Sequence, residues 1–132
     1  METKAVSRPK ALYWIGWIVS VLPALFLLFG AVMNLVKPSF AAESLAKYGY
    51  SENVVMPLGV VLLISTVLYL IPRTAVVGAI LLTGYLGGAV ATHVIGHDDL
   101  TKILFPVIFG IVIWLGLRMR DERVQSVLPW RN

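Results

Sequence analysis

His93 closes the stretch GYLGGAVATH, residues 84–93, and no Asp, Glu, Lys or Arg occurs from Thr74 to His97. An ionisable side chain in so apolar a setting is a functional-site candidate. Its imidazole can relay a proton or hydrogen-bond a carbonyl. Asn34 and Lys37 stand three residues apart near the end of an earlier apolar run, a spacing that shares one helix face. A lysine ammonium can fix a negative oxygen. Asn34, Lys37 and His93, with Tyr85, Gly88 and Thr92, therefore form a candidate ligand-binding set. The ligand such chemistry suits is a quinone, a lipid or another lipophilic small molecule, if the elements carrying these residues converge.

Those elements are read from the gaps between charges. The 132-residue chain is 58% hydrophobic and 14% charged, with a mean hydropathy of +0.84, which is too apolar for a water-soluble domain. Uncharged runs cover Ala11 to Val36, Asn53 to Pro72, Thr74 to His97 and Ile103 to Leu117. Crossing the hydrocarbon layer takes roughly 20 mainly apolar residues. The fourth run reaches that length when Leu100 and Thr101 join it and Lys102 and Arg118 snorkel to the surfaces. The expected fold is an all-α membrane protein, a four-transmembrane-helix bundle with a short amphipathic outer segment between helices 1 and 2. The expected spans are about 11–36, 54–72, 74–96 and 101–118, followed by a cytoplasmic tail over 119–132, all in a single membrane domain. The first run exceeds the roughly 7–15 apolar residues of a signal peptide, and it is read as a retained helix.

Orientation follows from the flanking bases. Lys4, Arg8, Lys10, Arg73, Arg118, Arg120, Arg123 and Arg131 fall on one side, with Lys37, Lys47 and Lys102 opposite. The positive-inside rule then places both termini in the cytoplasm. Tyr13, Trp14, Trp17 and Trp130 suit an aromatic belt on that side. The turn Ile71-Pro72-Arg73-Thr74 is short enough to force an antiparallel hairpin of the second and third spans. The longer connection from Lys37 to Asn53 reads as a small amphipathic helix over the bundle mouth, with Ser39 as N-cap, Phe40 or Ala41, Leu45 and Tyr48 on one face, and Gly49 as its stop. Pro23 lies in mid-span, where it kinks the helix or adjusts its packing.

Gly84, Gly88 and Thr92 recur every four residues in the third span, with Gly87 and Ala91 beside them. Small residues let membrane helices approach, so Gly84, Gly87, Gly88 and Ala91 are expected to pack a second helix of the chain; a dimer seam and a ligand groove are the other readings. At 1.5 Å per residue from Thr74, His93 lies about 28 Å along its helix, near the outer end. Asn34 sits at a similar depth in the first span. If the first and third spans touch, Asn34, Lys37 and His93 meet below the outer loops, with Glu43, His97, Asp98 and Asp99 just above. The alternative is that Asn34 and His93 only cross-link helices by hydrogen bonds. Ser65, Thr66 and Thr83 can bond their own helical turn, whereas Tyr85 needs an acceptor if it is buried.

Other functions lack their residues. The absence of cysteine removes disulfides, thiol redox chemistry and thiolate-held clusters. His93 and His97 lack the intervening glutamate of a HExxH site, so no metal is expected. No nucleophile–base set, carboxylate pair or phosphate-binding loop occurs within the spans. The net charge of +4 comes from residues that flank the spans, which points to the lipid bilayer and not to nucleic acid.

The first span ends in FGAVMNLVKP, the connection carries Lys47-Tyr48-Gly49-Tyr50, and the third span carries GGAVATHV followed by acidic residues. In these features, from about Tyr13 to Leu117, the chain resembles the DoxX-like family. Lys37 matches the lysine closing the family's first helix, Gly49 its connection glycine, and Gly88, Ala89 and His93 its third-helix signature. The resemblance implies a compact four-helix bundle, with the bacterial cytoplasmic (inner) membrane as its expected location. For function it implies several roles, since relatives include subunits of quinone-linked oxidoreductases, parts of membrane redox complexes and an animal assembly chaperone. The leading expectation is an accessory or binding protein that accommodates a lipophilic small molecule or a partner's transmembrane segment. The alternatives are an oxidoreductase subunit with His93 as proton relay and a membrane-protein assembly chaperone; a homodimer is a further possible partnership.

Overall fold

The four apolar runs become four long helices in the computed structural model, which describes residues 10–36 and 38–127. Helix α1 spans Lys10–Val36, α2 Pro38–Ala46, α3 Val55–Leu70, α4 Ala75–Ile95, α5 Leu100–Arg120 and α6 Glu122–Gln125. Short 3-10 turns at Glu52–Val54 and Pro72–Thr74 lead into α3 and α4. Four helical segments, Lys10–Val36, Glu52–Leu70, Pro72–Ile95 and Leu100–Arg120, are long and apolar enough to cross a membrane. Large apolar side chains such as Leu22, Phe29 and Ile111 face outward, more than half exposed. In a bilayer those surfaces meet lipid tails as apolar as themselves.

Helix α1 packs on α3 and α5, and α4 packs on the same two helices. The order around the bundle is therefore α1, α3, α4, α5, with α1 and α4 on a diagonal. The turn after Ile71 makes α3 and α4 the hairpin that its length demanded, and the Thr74 hydroxyl donates back to Leu68 O at 2.9 Å.

Glycines bring these helices together, but not the ones that the four-residue spacing singles out. A Cβ on Gly78 would overlap the Tyr69 backbone, one on Gly59 would lie 2.8 Å from Asn34 Cβ, and one on Gly116 would lie 2.6 Å from Ser20 Oγ. At Gly84, Gly87 and Gly88 an added Cβ would meet nothing within 4 Å, and Ala91 is exposed. The expected packing stripe is thus an open one. The reason is the facing of α4, which buries Ala75, Gly78, Ala79, Leu82 and Leu86 at helical spacing and turns residues 84, 87, 88 and 91 away from the core.

The end of the bundle at the start of α1 and the close of α5, here the terminus end, is dense and polar inside. Ser20 and Tyr69 are fully buried, and Arg120 is 7% exposed. Arg120 donates from Nε to Ser20 Oγ at 2.8 Å and from Nη2 to Tyr69 O at 2.7 Å. Its guanidinium lies 4.3 Å from the Trp17 ring centroid and 4.7 Å from that of Tyr69. The Tyr69 hydroxyl donates to Ile113 O at 2.6 Å. The positive charge is held by dipoles and aromatic faces, an arrangement that suits the planar guanidinium. Trp17 therefore packs inward on Arg120, whereas Trp14 is 61% exposed, as a belt residue would be. Trp130 lies outside the described residues.

Candidate functional site

The opposite end, which carries α2 and the α4–α5 loop and is here the loop end, is built by the way α4 stops. Asp98 N–H donates to His93 O at 3.0 Å and His97 N–H to Val94 O at 3.1 Å, the paired closing bonds of a Schellman motif. His97 takes the left-handed position, φ 59°, where glycine is the usual occupant. The nearby glycine, Gly96, serves another purpose, because a Cβ there would lie 2.5 Å from the Tyr48 ring. Asp99 then caps α5 by accepting from Lys102 N–H at 3.3 Å. In such a closure the sixth residue returns beside the first, so Asp98 stands against His93.

That return builds a three-residue polar network. His93 Nδ1 lies 2.6 Å from Asp98 Oδ2, and the Tyr48 hydroxyl donates to the same oxygen at 2.6 Å. Tyr48 and His93 meet edge to face, with ring centroids 5.5 Å apart. Hydrogen bonds from His93 and then from Tyr48 hold the Asp98 carboxyl below its ordinary range. The same bond to Asp98 pushes the Tyr48 phenol up. In a neutral imidazole, donation from Nδ1–H to an ionised Asp98 leaves the Nε2 lone pair available. Among the described residues Nε2 has no hydrogen-bond partner.

A second tie lies one residue along. The Thr92 hydroxyl donates to Gly88 O at 2.8 Å, so the 2.5 Å contact between Tyr50 Oη and Thr92 Oγ1 is donated by the tyrosine. Tyr48 and Tyr50 thus pin the chain after α2 to the end of α4, while α2 itself packs on α1 and α3. Helix α2 together with the Tyr48–Tyr50 segment bridges the diagonal that α1 and α4 leave open.

Under this bridge lies a cavity of about 500 Å³, reached by Tyr48, Gly84, Tyr85, Gly88, Thr92 and His93 among others. Its size falls within the roughly 300–1,000 Å³ of small-molecule sites. The bare Cα positions of Gly84 and Gly88 make its floor, since no side chain fills the space in front of them. Tyr85 is half-buried, and its hydroxyl makes no hydrogen bond among the described residues. The acceptor that a buried tyrosine requires is thus not supplied among the described residues, and Tyr85 lines the cavity. A second cavity of about 490 Å³ adjoins the first and shares Ser44, Leu45 and Tyr85 with it.

The expected convergence of Asn34 with His93 does not form. Asn34 Nδ2 donates to Val55 O at 3.2 Å and ties α1 to α3, because the first and third spans are diagonal and not adjacent. Asn34 lines the second cavity. Lys37 lies outside the described residues. Tyr85, Gly88, Thr92 and His93 do come together. Glu43 and His97 are exposed, and Ser39 is inside α2, which starts at Pro38, and is not its cap. Gly49 adopts φ +91° as the stop after α2. Among the described residues no three His, Asp or Glu side chains converge as a metal set. Tyr48, Tyr50 and Asp98 complete the site. Their signal in the sequence was the two-residue spacing of the tyrosines and the five-residue step from His93 to Asp98 across a helix stop.

A model of the DoxX-like family matches residues 18–116. The chain belongs to the DoxX-like family. The matched stretch includes His93, Asp98 and the whole glycine floor of this DoxX-like bundle, together with the Tyr48–Tyr50 segment. Comparison with curated proteins and with solved structures gave no match.

Proposed function

We propose that this DoxX-like membrane protein is an accessory or binding protein whose loop-end cavity holds the polar head of a lipophilic small molecule. The observation that carries the reading is a pair of polar groups without partners among the described residues, the Tyr85 hydroxyl and His93 Nε2, on two side chains that line one cavity of about 500 Å³. Unpartnered polar atoms at membrane depth are costly. A head bearing a hydroxyl satisfies both, donating to Nε2 and accepting from Tyr85. The orientation in this proposal puts the termini in the cytoplasm of a bacterium and the cavity in the outer leaflet, following the flanking bases.

Native mass spectrometry of the protein released with its surrounding lipids tests the reading. The expected spectrum carries a bound small-molecule mass that disappears in Gly88→Leu, whose new side chain occupies the cavity. An adduct-free wild type, or the same adduct in both proteins, would refute it.

The His93–Asp98 pair favours one further reading, a membrane subunit of a quinone-linked oxidoreductase. A carboxylate behind an imidazole orients it and raises its basicity, the arrangement of a general base. In this reading His93 accepts a quinol proton through Nε2. Quinol-dependent turnover in reconstituted vesicles should collapse in His93→Ala, and undiminished turnover would remove His93 from the mechanism.

A further inference from the structure

The second cavity has a different character from the first. Its walls are Phe26, Phe29 and Met33 of α1 and Phe40 of α2, with Gly30 between them. Phe29 and Phe40 are 65% and 58% exposed, so this is a crevice open to the hydrocarbon layer. Phe26 is braced from behind by Phe105 and Phe109 of α5, with ring centroids 5.8 and 5.1 Å away. The two cavities meet at Ser44, Leu45 and Tyr85, which line both.

We propose that the crevice is a tail subsite continuous with the head cavity, so that the ligand is a membrane-dissolved amphiphile whose donor-bearing head meets Tyr85 and His93 while its apolar tail lies along Phe26, Phe29 and Phe40. The inference rests on the head-binding reading above and adds the tail site, the entry side and the ligand class. Three observations support one occupant across both spaces. The cavities share Tyr85, whose hydroxyl lacks a partner among the described residues. The head cavity adds the polar side chains of Thr92 and His93, while the crevice adds the three phenylalanines Phe26, Phe29 and Phe40. The crevice alone has exposed aromatic walls, which gives entry from the bilayer.

The energetics set what to measure. A tail leaving lipid for the crevice gains no hydrophobic free energy, because lipid tails are already apolar. Its contribution is van der Waals fit against the rings, which a blocking side chain removes. Comparing variants against the same probe cancels the probe's partition into detergent or lipid.

The probes are para-butylphenol and para-octylphenol, with the full-length protein in detergent micelles. Gly30→Leu fills the crevice. A Cβ at Gly30 meets only Leu62 Cδ2, at 3.9 Å, an ordinary contact. Gly88→Leu fills the head cavity. The expected result is that Gly88→Leu weakens both probes by about tenfold or more, while Gly30→Leu weakens the octyl probe by about tenfold and the butyl probe by less than about twofold. Phe40→Ala, which removes an exposed wall, should also weaken only the octyl probe. If Gly88→Leu weakens both probes but Gly30→Leu and Phe40→Ala treat them alike, the tail subsite is overturned and the head cavity stands. If Gly88→Leu leaves both affinities unchanged, the head-binding reading itself fails.

Discussion

The two ends of the bundle use the same ingredients to opposite ends. Each has glycines, a tyrosine hydroxyl and a charged side chain. At the terminus end the glycines at 78 and 116 press backbone against neighbour, and Arg120, Tyr69 and Ser20 satisfy one another where all three are buried. At the loop end the glycines at 84 and 88 face open space, and the polar network stops short, leaving the Tyr85 hydroxyl and one nitrogen of His93 without partners among the described residues. The contrast teaches that a glycine in a membrane helix is a packing device only when its face points at another helix. On the other face the same residue makes room for something else.

Substitutions at the two ends should separate accordingly. The largest effect belongs to Gly78→Leu, whose Cβ would overlap the Tyr69 backbone. Backbone cannot yield as a side chain can, and a cost of about 3 kcal/mol or more is expected, with little folded protein recovered. Arg120→Ala comes next. It strips the donors from Ser20 Oγ and Tyr69 O, each buried, and should lower stability by about 2–3 kcal/mol in detergent unfolding. Survival of either variant at wild-type stability would dissolve the distinction between the ends.

Smaller effects belong to the loop end. Asp98 has a lowered pKa in the folded protein, so its stabilisation is present above its unfolded value of 3.8 and is lost as pH falls through the lower folded value. For Tyr48 the shift is upward from 10.0, so its contribution is present below that value and lost as pH rises through the raised one. At neutral pH both ends of the Tyr48–Asp98 bond are therefore in their bonding forms. The melting temperature of Asp98→Asn should lie modestly below that of the wild type at neutral pH, with the gap closing on acidification; a gap independent of pH would contradict an ionised Asp98 as the shared acceptor. The smallest effect is expected for Gly88→Leu, within about 0.5 kcal/mol of wild type, because the new side chain enters open space.

The fold was legible in the sequence because charge gaps of bilayer length specify spans directly, and the short Ile71–Thr74 turn specifies a hairpin. The site was legible in part. His93, Thr92, Tyr85 and Gly88 share one helix and one region of its surface, so helical spacing groups them. Asn34 was misplaced because spacing within a helix says nothing about which helices are neighbours. The role of the glycine stripe was misread for the same reason, since the facing of α4 is decided by its partners. Tyr48 and Asp98 reach His93 only through the path of two loops, where no periodicity operates.

The account's central claim is that His93 Nε2 faces a site for a ligand's donor group. Ring-nitrogen NMR of His93 in the full-length protein, recorded as para-butylphenol is added, tests it most directly. The Nε2 resonance should begin as an unprotonated nitrogen and shift on saturation toward a hydrogen-bonded one, with Nδ1 nearly unmoved, and Gly88→Leu should abolish the change. An Nε2 signal indifferent to the phenol, or one that shifts equally in Gly88→Leu, would contradict the claim.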